Sequence, residues 1–395
     1  MPITPLNTLP TPDPVAAAHS ARLLEQIRAA MANEGGAISF ARFMELALYA
    51  PGLGYYRAGA RKFGPGGDFV TAPELSPLFA RCLARQCQEI LRALGGGEIL
   101  ELGAGSGVMA VDLLRELRAL NTLPDRYAIL ELSGELRERQ RQTLTDRAPE
   151  LLERLVWLDH LPEPGWRGVV LGNEVLDALP VERFCMTAQG PRRLMVTGIE
   201  EDLAWVEGAE DPAVSAAVAQ IEADAGWRLP EGYCSEYVPH LADWLRAIAE
   251  PLAAGALLFV DYGYPRRAYY HPERVMGTLL CHYRHRVHDH PLILPGLQDI
   301  TASVDFTAVA DAALAAGLEV AGYASQNHFL FGCGLMELLA EVDVAETVRH
   351  LEQVGQVKRL TLPSEMGDRF QALALTRNLD IPLRGFAFGD QRGRL

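Results

Sequence analysis

The stretch ILELGAGSGVMAVDLL, residues 99–114, decides the fold of this 395-residue chain. An apolar run meets three glycines at alternate positions, Gly103, Gly105 and Gly107, and an amphipathic pattern follows them. This order predicts a buried strand, a glycine turn and a helix. Glycines let the backbone come close to a ligand, and the first turn of a helix leaves N–H groups free to bind it.

The strand and helix pattern continues along the chain. YAILEL, RLVWLD, GVVLGN and GALLFVDYG are further apolar runs, and amphipathic segments such as SGELRERQRQTL and DFTAVADAALA lie between or after them. DRFQALALTR near the end predicts the last strand. Apolar strands alternating with helices indicate a parallel sheet covered on both faces, wound by right-handed crossovers. The fold class expected is therefore α/β, a Rossmann-like doubly wound sheet.

Two segments interrupt this pattern. Residues 181–235 begin with three alternating runs that predict a β-meander, and residues 264–304 have little periodicity, which indicates a lid or a second insertion. We expect an N-terminal helical cap with an active-site loop over residues 1–97, a core over 98–377 and a tail over 378–395. In the cap, Asp13 and Ser39 are placed to begin helices, and TAPE, residues 71–74, has the spacing of a capping box for a helix that runs to about Leu94.

Composition narrows the possible partners. A net charge of -15 argues against binding a nucleic-acid backbone, which needs a basic face. Six cysteines without a CxxC pair predict reduced thiols in a reducing compartment. The N-terminus has the pattern of neither a secretory signal nor a transit peptide, and no run is long enough to span a membrane. The sequence predicts a cytoplasmic protein without membrane insertion.

The glycine motif indicates the cofactor. Its spacing is G-x-G-x-G, and Val108 stands where a dinucleotide fingerprint needs a final glycine or alanine, which argues against NAD or FAD. Glu101 precedes the first glycine by two residues and suits a cationic ligand. The sulfonium and amino groups of S-adenosyl-L-methionine fit this acid better than a pyrophosphate does.

Acids also follow the next two strands. Glu131 closes YAILEL, the position from which an acid commonly binds ribose hydroxyls. Asp159 closes RLVWLD and could face the adenine edge, although a loop acid is nearly as good an interpretation.

The fourth strand ends in GNEVLDALP, residues 172–180. Ligands of doubly wound sheets bind beyond the carboxyl ends of the strands, and the fourth strand is expected beside the first. Asn173, Glu174 and Asp177 are therefore expected beside the transferable methyl group, with Asn173 towards the cofactor. If one helical turn forms here, Glu174 and Asp177 share a face, and Pro180 ends the turn.

These segments together resemble the MidA/NDUFAF7 family of S-adenosyl-L-methionine-dependent methyltransferases over nearly the whole chain. The glycine motif is generic to class I methyltransferases, and more specific similarity lies in GDFVTAPELSPLF (67–79), GNEVLDALPVERF (172–184), GTLLCHYRHRVHDHP (277–291) and PGLQDITASVDF (295–306). The mitochondrial members are similar to protein arginine methyltransferases that modify a respiratory complex I subunit. The resemblance thus implies a class I fold and arginine methylation of a protein.

A guanidinium is permanently charged, so two carboxylates could grip it and expose one nitrogen to the methyl group. We expect Glu174 to grip it, with Asp177 or Asp68 as the second carboxylate. The resemblance implies a role for His285, and Asp68 and Thr71 are expected near the cofactor. We expect no metal at the His-rich segment, because the arginines between the histidines do not suit one. The alternatives are a non-catalytic assembly factor with a vestigial cofactor site and a methyltransferase that acts on a small molecule or nucleobase.

Overall fold

The computed structural model describes residues 3–58, 71–200, 202–341 and 347–395. Its helices are α1 (Pro14–Asn33), α2 (Phe40–Tyr49), α3 (Ala72–Leu75), α4 (Pro77–Leu94), α5 (Val108–Ala119), α6 (Gly134–Arg147), α7 (Pro212–Ala225), α8 (Leu241–Ala249), α9 (Arg266–Tyr269), α10 (Phe306–Ala315), α11 (Gln326–Gly332), α12 (Leu335–Ala340) and α13 (Thr347–Thr361). Its strands are β1 (Ala37–Ser39), β2 (Glu98–Leu102), β3 (Tyr127–Leu130), β4 (Leu155–Leu158), β5 (Trp166–Asn173), β6 (Glu182–Thr187), β7 (Gly190–Ile199), β8 (Asp202–Glu207), β9 (Cys234–Tyr237), β10 (Leu252–Tyr264), β11 (Leu280–Tyr283), β12 (Arg286–His288), β13 (Asp299–Thr301), β14 (Val304–Asp305), β15 (Glu319–Ser325) and β16 (Phe370–Arg377).

The chain forms two compact units. The first contains residues 1–69, 177–240 and 264–305, and the second contains residues 70–176, 241–263 and 306–395. Each unit is therefore built from segments that are distant in sequence. The domain bounds expected from the sequence stay a prediction, because compactness does not show which pieces fold alone.

The second unit contains the sheet that the first motif predicts. Seven of its strands are ordered β15-β16-β10-β5-β2-β3-β4. The five consecutive strands β10, β5, β2, β3 and β4 run parallel to one another. Leu102 at the end of β2 lies opposite Leu130 of β3 and Gly172 of β5. The first and fourth predicted strands are thus neighbours, as expected, and their carboxyl ends share one edge of the sheet.

One strand runs against this direction. The last strand, β16, lies between β10 and β15 and is antiparallel to both. Its run FQALALTR is predicted correctly as a strand, but an apolar run does not encode strand direction. The class of the fold is α/β with a mixed central sheet, and the helices pack against the sheet in a core that includes Phe79 of α4, Leu113 of α5 and Val169 of β5.

The helix expected from Thr71 to about Leu94 is two helices. Ser76 interrupts it with extended backbone, φ −156° and ψ 135°, and its side chain accepts a hydrogen bond from the Leu78 amide at 3.3 Å. The capping box is also wrong, because the Thr71 side chain makes no cap hydrogen bond and Glu74 instead accepts one from Ser106. Pro77 explains the break, since a proline disfavours helical backbone in the residue before it.

The first unit contains the helices α1, α2, α7 and α9 and two small sheets, which the sequence partly predicts. Asp13 caps α1 and Ser39 caps α2 through their side chains, as expected. The predicted meander is confirmed, because β6, β7 and β8 pair antiparallel in that order. Strands β1 and β9, which the sequence does not single out, complete this sheet by pairing with β7 and β6. The segment 264–304 contains α9 and a three-stranded sheet ordered β12-β11-β13.

The expectation of six reduced thiols is wrong for one pair. Cys185 of β6 lies directly opposite Cys234 of β9, with Cα atoms 4.1 Å apart, and the two form a disulfide. Strand register brings the two together across 49 residues, which a search for CxxC spacing does not detect. The cysteine pattern therefore no longer supports the cytoplasmic location, which stays a prediction. In the part of the chain that the structure describes, no helix has the length and apolar character to cross a membrane.

Candidate active site

The glycine turn after β2 has the backbone that only glycine adopts easily. Gly103, Gly105 and Gly107 have φ values of 61°, 52° and 82°, and Gly107 is the residue from which α5 begins. The Gly103 amide donates to the Leu130 carbonyl at 3.0 Å, which ties the turn to the end of β3. A Cβ on Gly107 would lie 3.2 Å from the Cα of Gln140. At Gly107 the turn is thus packed tightly against α6.

Glu101 is a buried carboxylate within β2. Its Oε2 accepts a hydrogen bond from the Tyr127 hydroxyl at 2.7 Å. Burial raises the pKa of Glu101 to about 7, although the Tyr127 hydrogen bond lowers it and the nearby Glu131 adds to the increase. A cationic ligand would lower this raised pKa, because a positive charge nearby favours the ionised carboxylate.

Glu131 is fixed just beyond β3. Its Oε1 accepts from the Ser133 amide at 2.9 Å, and its Oε2 accepts from Nε2 of Gln140 at 3.1 Å. Burial raises the pKa of Glu131, and these hydrogen bonds oppose that increase. A carboxylate has about four lone-pair positions, so Glu131 can accept a further hydrogen bond from a ribose hydroxyl.

Gln140 is a residue that the sequence analysis does not identify. It is fully buried on α6, and its Nε2 also donates to the Gly105 carbonyl at 3.1 Å. Its Oε1 accepts from the Trp157 indole at 3.0 Å. Gln140 thus joins the glycine turn to Glu131 through one side chain. The sequence gives no clear signal of this role, because a glutamine in a very polar helix is equally typical of an exposed residue.

Asp159 and Thr71 have weaker connections to this edge. Asp159 follows β4, is largely exposed and forms an ion pair with Arg137 at 2.7 Å. Thr71 precedes α3, the helix whose Glu74 contacts Ser106 in the glycine turn. The cofactor roles of Asp159 and Thr71 stay predictions, and Asp68 lies outside the described residues.

Asn173 ends β5 beside the glycine turn, and Glu174 follows it directly. Glu174 has φ 53°, a left-handed conformation that costs a residue with a side chain roughly 1–2 kcal/mol. Its amide donates to the Val260 carbonyl at 2.9 Å, and its Oε1 accepts from Nδ2 of Asn173 at 3.1 Å. Oδ1 of Asn173 is buried without a hydrogen-bond partner in the described structure. An acceptor in this state suits a donor from a ligand, such as the amino group of the cofactor.

The helical turn considered for residues 174–177 does not form. Oδ2 of Asp261 in β10 accepts hydrogen bonds from the Val175 amide at 3.1 Å and the Leu176 amide at 2.9 Å. These amides are therefore bound to a neighbouring strand, and the positive φ of Glu174 is incompatible with a right-handed helix. The sequence analysis does not identify Asp261, because an acid at the end of an apolar strand has no distinctive spacing.

Asp177 belongs to the first unit and is also buried. Its carbonyl accepts from the Ala302 amide at 3.0 Å. Tyr56 donates to Oδ1 of Asp299 at 2.8 Å in the same unit. Burial raises the pKa of Tyr56, and the charges of Asp299 and then Asp177 raise it further. Asp177 therefore has acidic and phenolic neighbours, while its predicted catalytic role stays a prediction.

The His-rich segment contains a β-hairpin, formed by β11 and β12. His285 has φ 60° and lies with Arg284 in the exposed turn between β11 and β12, and its role stays a prediction. Burial lowers the pKa of His282 to about 4, which keeps its imidazole neutral. Over the described ranges, no three or more His, Cys, Asp and Glu side chains are grouped so that they could bind a metal.

The second unit therefore collects one chemically coherent set at the carboxyl edge of three adjacent strands. It comprises the glycine turn, the buried acids Glu101 and Glu131, and the Asn173 amide. These groups suit a ligand with a cationic end, a ribose and close backbone contact, which describes S-adenosyl-L-methionine. The sheet and this edge define the class I fold of S-adenosyl-L-methionine-dependent methyltransferases.

Comparison with known proteins identifies the family. Residues 82–324 match the family described as "Putative S-adenosyl-L-methionine-dependent methyltransferase". A crystal structure of a Burkholderia thailandensis protein bound to S-adenosyl-homocysteine is 44% identical, with a TM-score of 0.94 over 98% of this chain and 100% of that one. The chain belongs to the MidA/NDUFAF7 family of S-adenosyl-L-methionine-dependent methyltransferases, and its cofactor is S-adenosyl-L-methionine.

The curated relatives are more distant. The zebrafish Danio rerio protein named "Protein arginine methyltransferase NDUFAF7, mitochondrial" is 29% identical over 88% of this chain and 86% of its own length. The human protein of the same name is 29% identical over 86% of this chain and 80% of its own length. Their similarity extends over most of both chains.

Proposed function

We propose that the enzyme methylates arginine side chains of a protein substrate. The observation that carries this proposal is the Glu174 carboxylate, held at the end of β5 beside the strand that carries the glycine turn. The names of the relatives from zebrafish and human support the same acceptor. The acidic chain, with a net charge of -15, suits a basic segment of a partner protein.

Glu174 matches what a guanidinium requires. The arginine side chain keeps its positive charge at neutral pH, and a carboxylate binds it through parallel hydrogen bonds. Bound S-adenosyl-L-methionine supplies a methyl group on a cationic sulfur, and a guanidinium nitrogen takes that methyl group while S-adenosylhomocysteine leaves. The Glu174 carboxylate orients the guanidinium and accepts the proton that this nitrogen loses. Most of the rate acceleration then comes from orientation.

The supporting residues have defined roles in this proposal. The donation from Asn173 directs one Glu174 oxygen, and we assign the carboxylate to the substrate guanidinium. Asp177 or Asp68 supplies the second carboxylate, and His285 faces the substrate protein. We also propose a cytoplasmic location, where such a substrate would be methylated.

Labelled methyl transfer into a lysate tests the acceptor. The protein is incubated with methyl-labelled S-adenosyl-L-methionine and a lysate from a strain that lacks it, and labelled products are separated into proteins, nucleic acids and small molecules. We expect labelled protein that releases methylarginine on hydrolysis. Label confined to small molecules or nucleobases would contradict the proposed acceptor. Bound S-adenosylhomocysteine without any transfer would favour a non-catalytic assembly factor.

A further inference from the structure

The side chain of Asp261 joins β10 to the turn after β5. Asp261 is buried, with 1% of its surface exposed, and its Oδ2 accepts from two successive amides, those of Val175 and Leu176. Its Oδ1 accepts from the Tyr262 amide at 2.9 Å. Both carboxylate oxygens therefore bind backbone donors, and two of the three donors belong to the residues that directly follow Glu174.

Strand register places this carboxylate where it can act on the turn. Val260 lies opposite Asn173, the last residue of β5, so Asp261 is the first residue of β10 beyond the region that pairs with β5. The Val260 carbonyl also accepts the Glu174 amide at 2.9 Å. The backbone of residues 174–176 is thus bound at three successive amides by two neighbouring residues of β10.

The conformation held in this way is an uncommon one. Glu174 has φ 53°, and a residue with a side chain keeps such an angle only where its surroundings fix it. Burial excludes the water that would compete with a hydrogen bond. Asp261 accepts two amide hydrogen bonds next to the strained residue.

We infer that Asp261 is a positioning residue that fixes the backbone of Glu174 and thereby directs its carboxylate for methyl transfer. The inference rests on the proposed function, because Glu174 is assigned to the substrate there. Asp261 itself touches neither cofactor nor substrate in this proposal. It holds the backbone so that the Glu174 side chain needs no reorganisation when the acceptor binds.

The test compares Asp261→Ala and Asp261→Asn with a matched control, Asp125→Ala. Asp125 also fixes a turn through its carboxylate, because its Oδ2 accepts from the Gly97 amide at 3.0 Å, but this turn precedes β2 at the opposite edge of the sheet. For each variant, calorimetry measures S-adenosylhomocysteine affinity, single-turnover assays measure transfer of labelled methyl, and hydrogen exchange follows the Val175 and Leu176 amides.

Removing the carboxylate should slow transfer while leaving the cofactor bound. We expect Asp261→Ala to lower the single-turnover rate by roughly 30-fold or more, from the loss of two buried hydrogen bonds. Affinity for S-adenosylhomocysteine should change less than about threefold, and exchange at the two amides should accelerate. The transfer rate of Asp261→Asn should lie between those of wild type and Asp261→Ala, and the rate of Asp125→Ala should equal that of wild type.

A double variant shows whether Asp261 acts through Glu174. In the Glu174→Gln background, Asp261→Ala should reduce the residual rate by less than about threefold, because the residue that it positions has already lost its charge. Fully additive effects would contradict a positioning role. Wild-type transfer rates in Asp261→Ala, or unchanged exchange at Val175 and Leu176, would also overturn the inference.

The proposed function and this inference fail in different ways. The rate assay follows label into whichever acceptor the wild-type protein modifies, so label on a group other than arginine contradicts the proposed acceptor while the effect of Asp261→Ala is still measured. If the wild-type protein transfers no label, hydrogen exchange at the Val175 and Leu176 amides still shows whether Asp261 fixes the turn.

Discussion

The turns that end β2 and β5 lie side by side at one edge of the sheet, and both contain residues with positive φ. The β2 turn reaches these angles with Gly103, Gly105 and Gly107, which adopt them at little cost. The β5 turn reaches φ 53° with Glu174, whose side chain makes the angle costly. Glycines let a ligand approach the backbone, whereas a strained glutamate places a carboxylate. In our proposal the β2 turn binds the cofactor and Glu174 of the β5 turn binds the substrate.

The largest effect is expected at Glu174, where a substitution should impair methyl transfer and spare cofactor binding. Glu174→Gln should lower methyl transfer by about 100-fold to 1,000-fold, because the acceptor loses its charged partner, while S-adenosylhomocysteine affinity stays within about threefold. Single-turnover transfer and calorimetry check this. The control is Glu98→Gln at the other end of the same sheet, where the carboxylate forms an ion pair with Arg126 at 2.9 Å. Full transfer by Glu174→Gln would end the assignment of Glu174.

A substitution in the glycine turn should instead weaken cofactor binding. Gly103→Val places a branched side chain at φ 61°, which should weaken S-adenosylhomocysteine binding by roughly 100-fold through strain and lost approach. Calorimetry measures the affinity. Gly165→Val is the matched control, because Gly165 also has positive φ and open space around it but precedes β5 at the far edge. Normal cofactor binding by Gly103→Val would break the comparison.

A smaller effect concerns the charge on Glu101. Its pKa of about 7 lies above the ordinary 4.5, so the folded protein binds more protons between these pH values and this group's contribution to stability is lost as pH rises through that window. A cationic cofactor favours the ionised form, so S-adenosyl-L-methionine affinity should rise roughly tenfold between pH 6 and 8.

Calorimetry in buffers of different ionisation enthalpy should detect proton release when wild type binds S-adenosyl-L-methionine near pH 6. Glu101→Gln should release no proton and show a flat profile over the same range. An identical pH dependence in both proteins would show that another group causes it.

The smallest effect tests the strain itself. Asparagine tolerates left-handed backbone better than glutamate does, so Glu174→Asn should leave the free energy of unfolding unchanged or raise it by up to about 1 kcal/mol. Denaturant unfolding measures this change alongside the loss of transfer. A destabilisation of more than about 1 kcal/mol would indicate that the Glu174 side chain stabilises the fold.

The sequence predicts most of the cofactor edge because local patterns encode it. Gly103, Gly105 and Gly107 stand between an apolar run and a helix, and Glu131 follows the next strand at the position that the fold class predicts. The neighbouring positions of β2 and β5 are also as expected, while the roles of Asn173 and Glu174 stay predictions.

Contacts between distant segments are what the sequence does not predict. Gln140 and Asp261 act through hydrogen bonds that depend on tertiary packing, and their residue types are common at exposed positions. Cys185 and Cys234 meet only through strand register. Pro77 is a sequence signal for the break at Ser76. The capping-box spacing at Thr71 instead predicts one continuous helix, which is wrong.

A crystal structure of the wild-type protein with S-adenosylhomocysteine and the labelled peptide recovered from the lysate experiment tests the division between the two turns most directly. The expected result places the nucleoside product at Gly103, Gly105 and Gly107 and the arginine guanidinium of the peptide on the Glu174 carboxylate. A guanidinium bound elsewhere, with Glu174 turned away from it, would contradict the assignment of the β5 turn to the substrate.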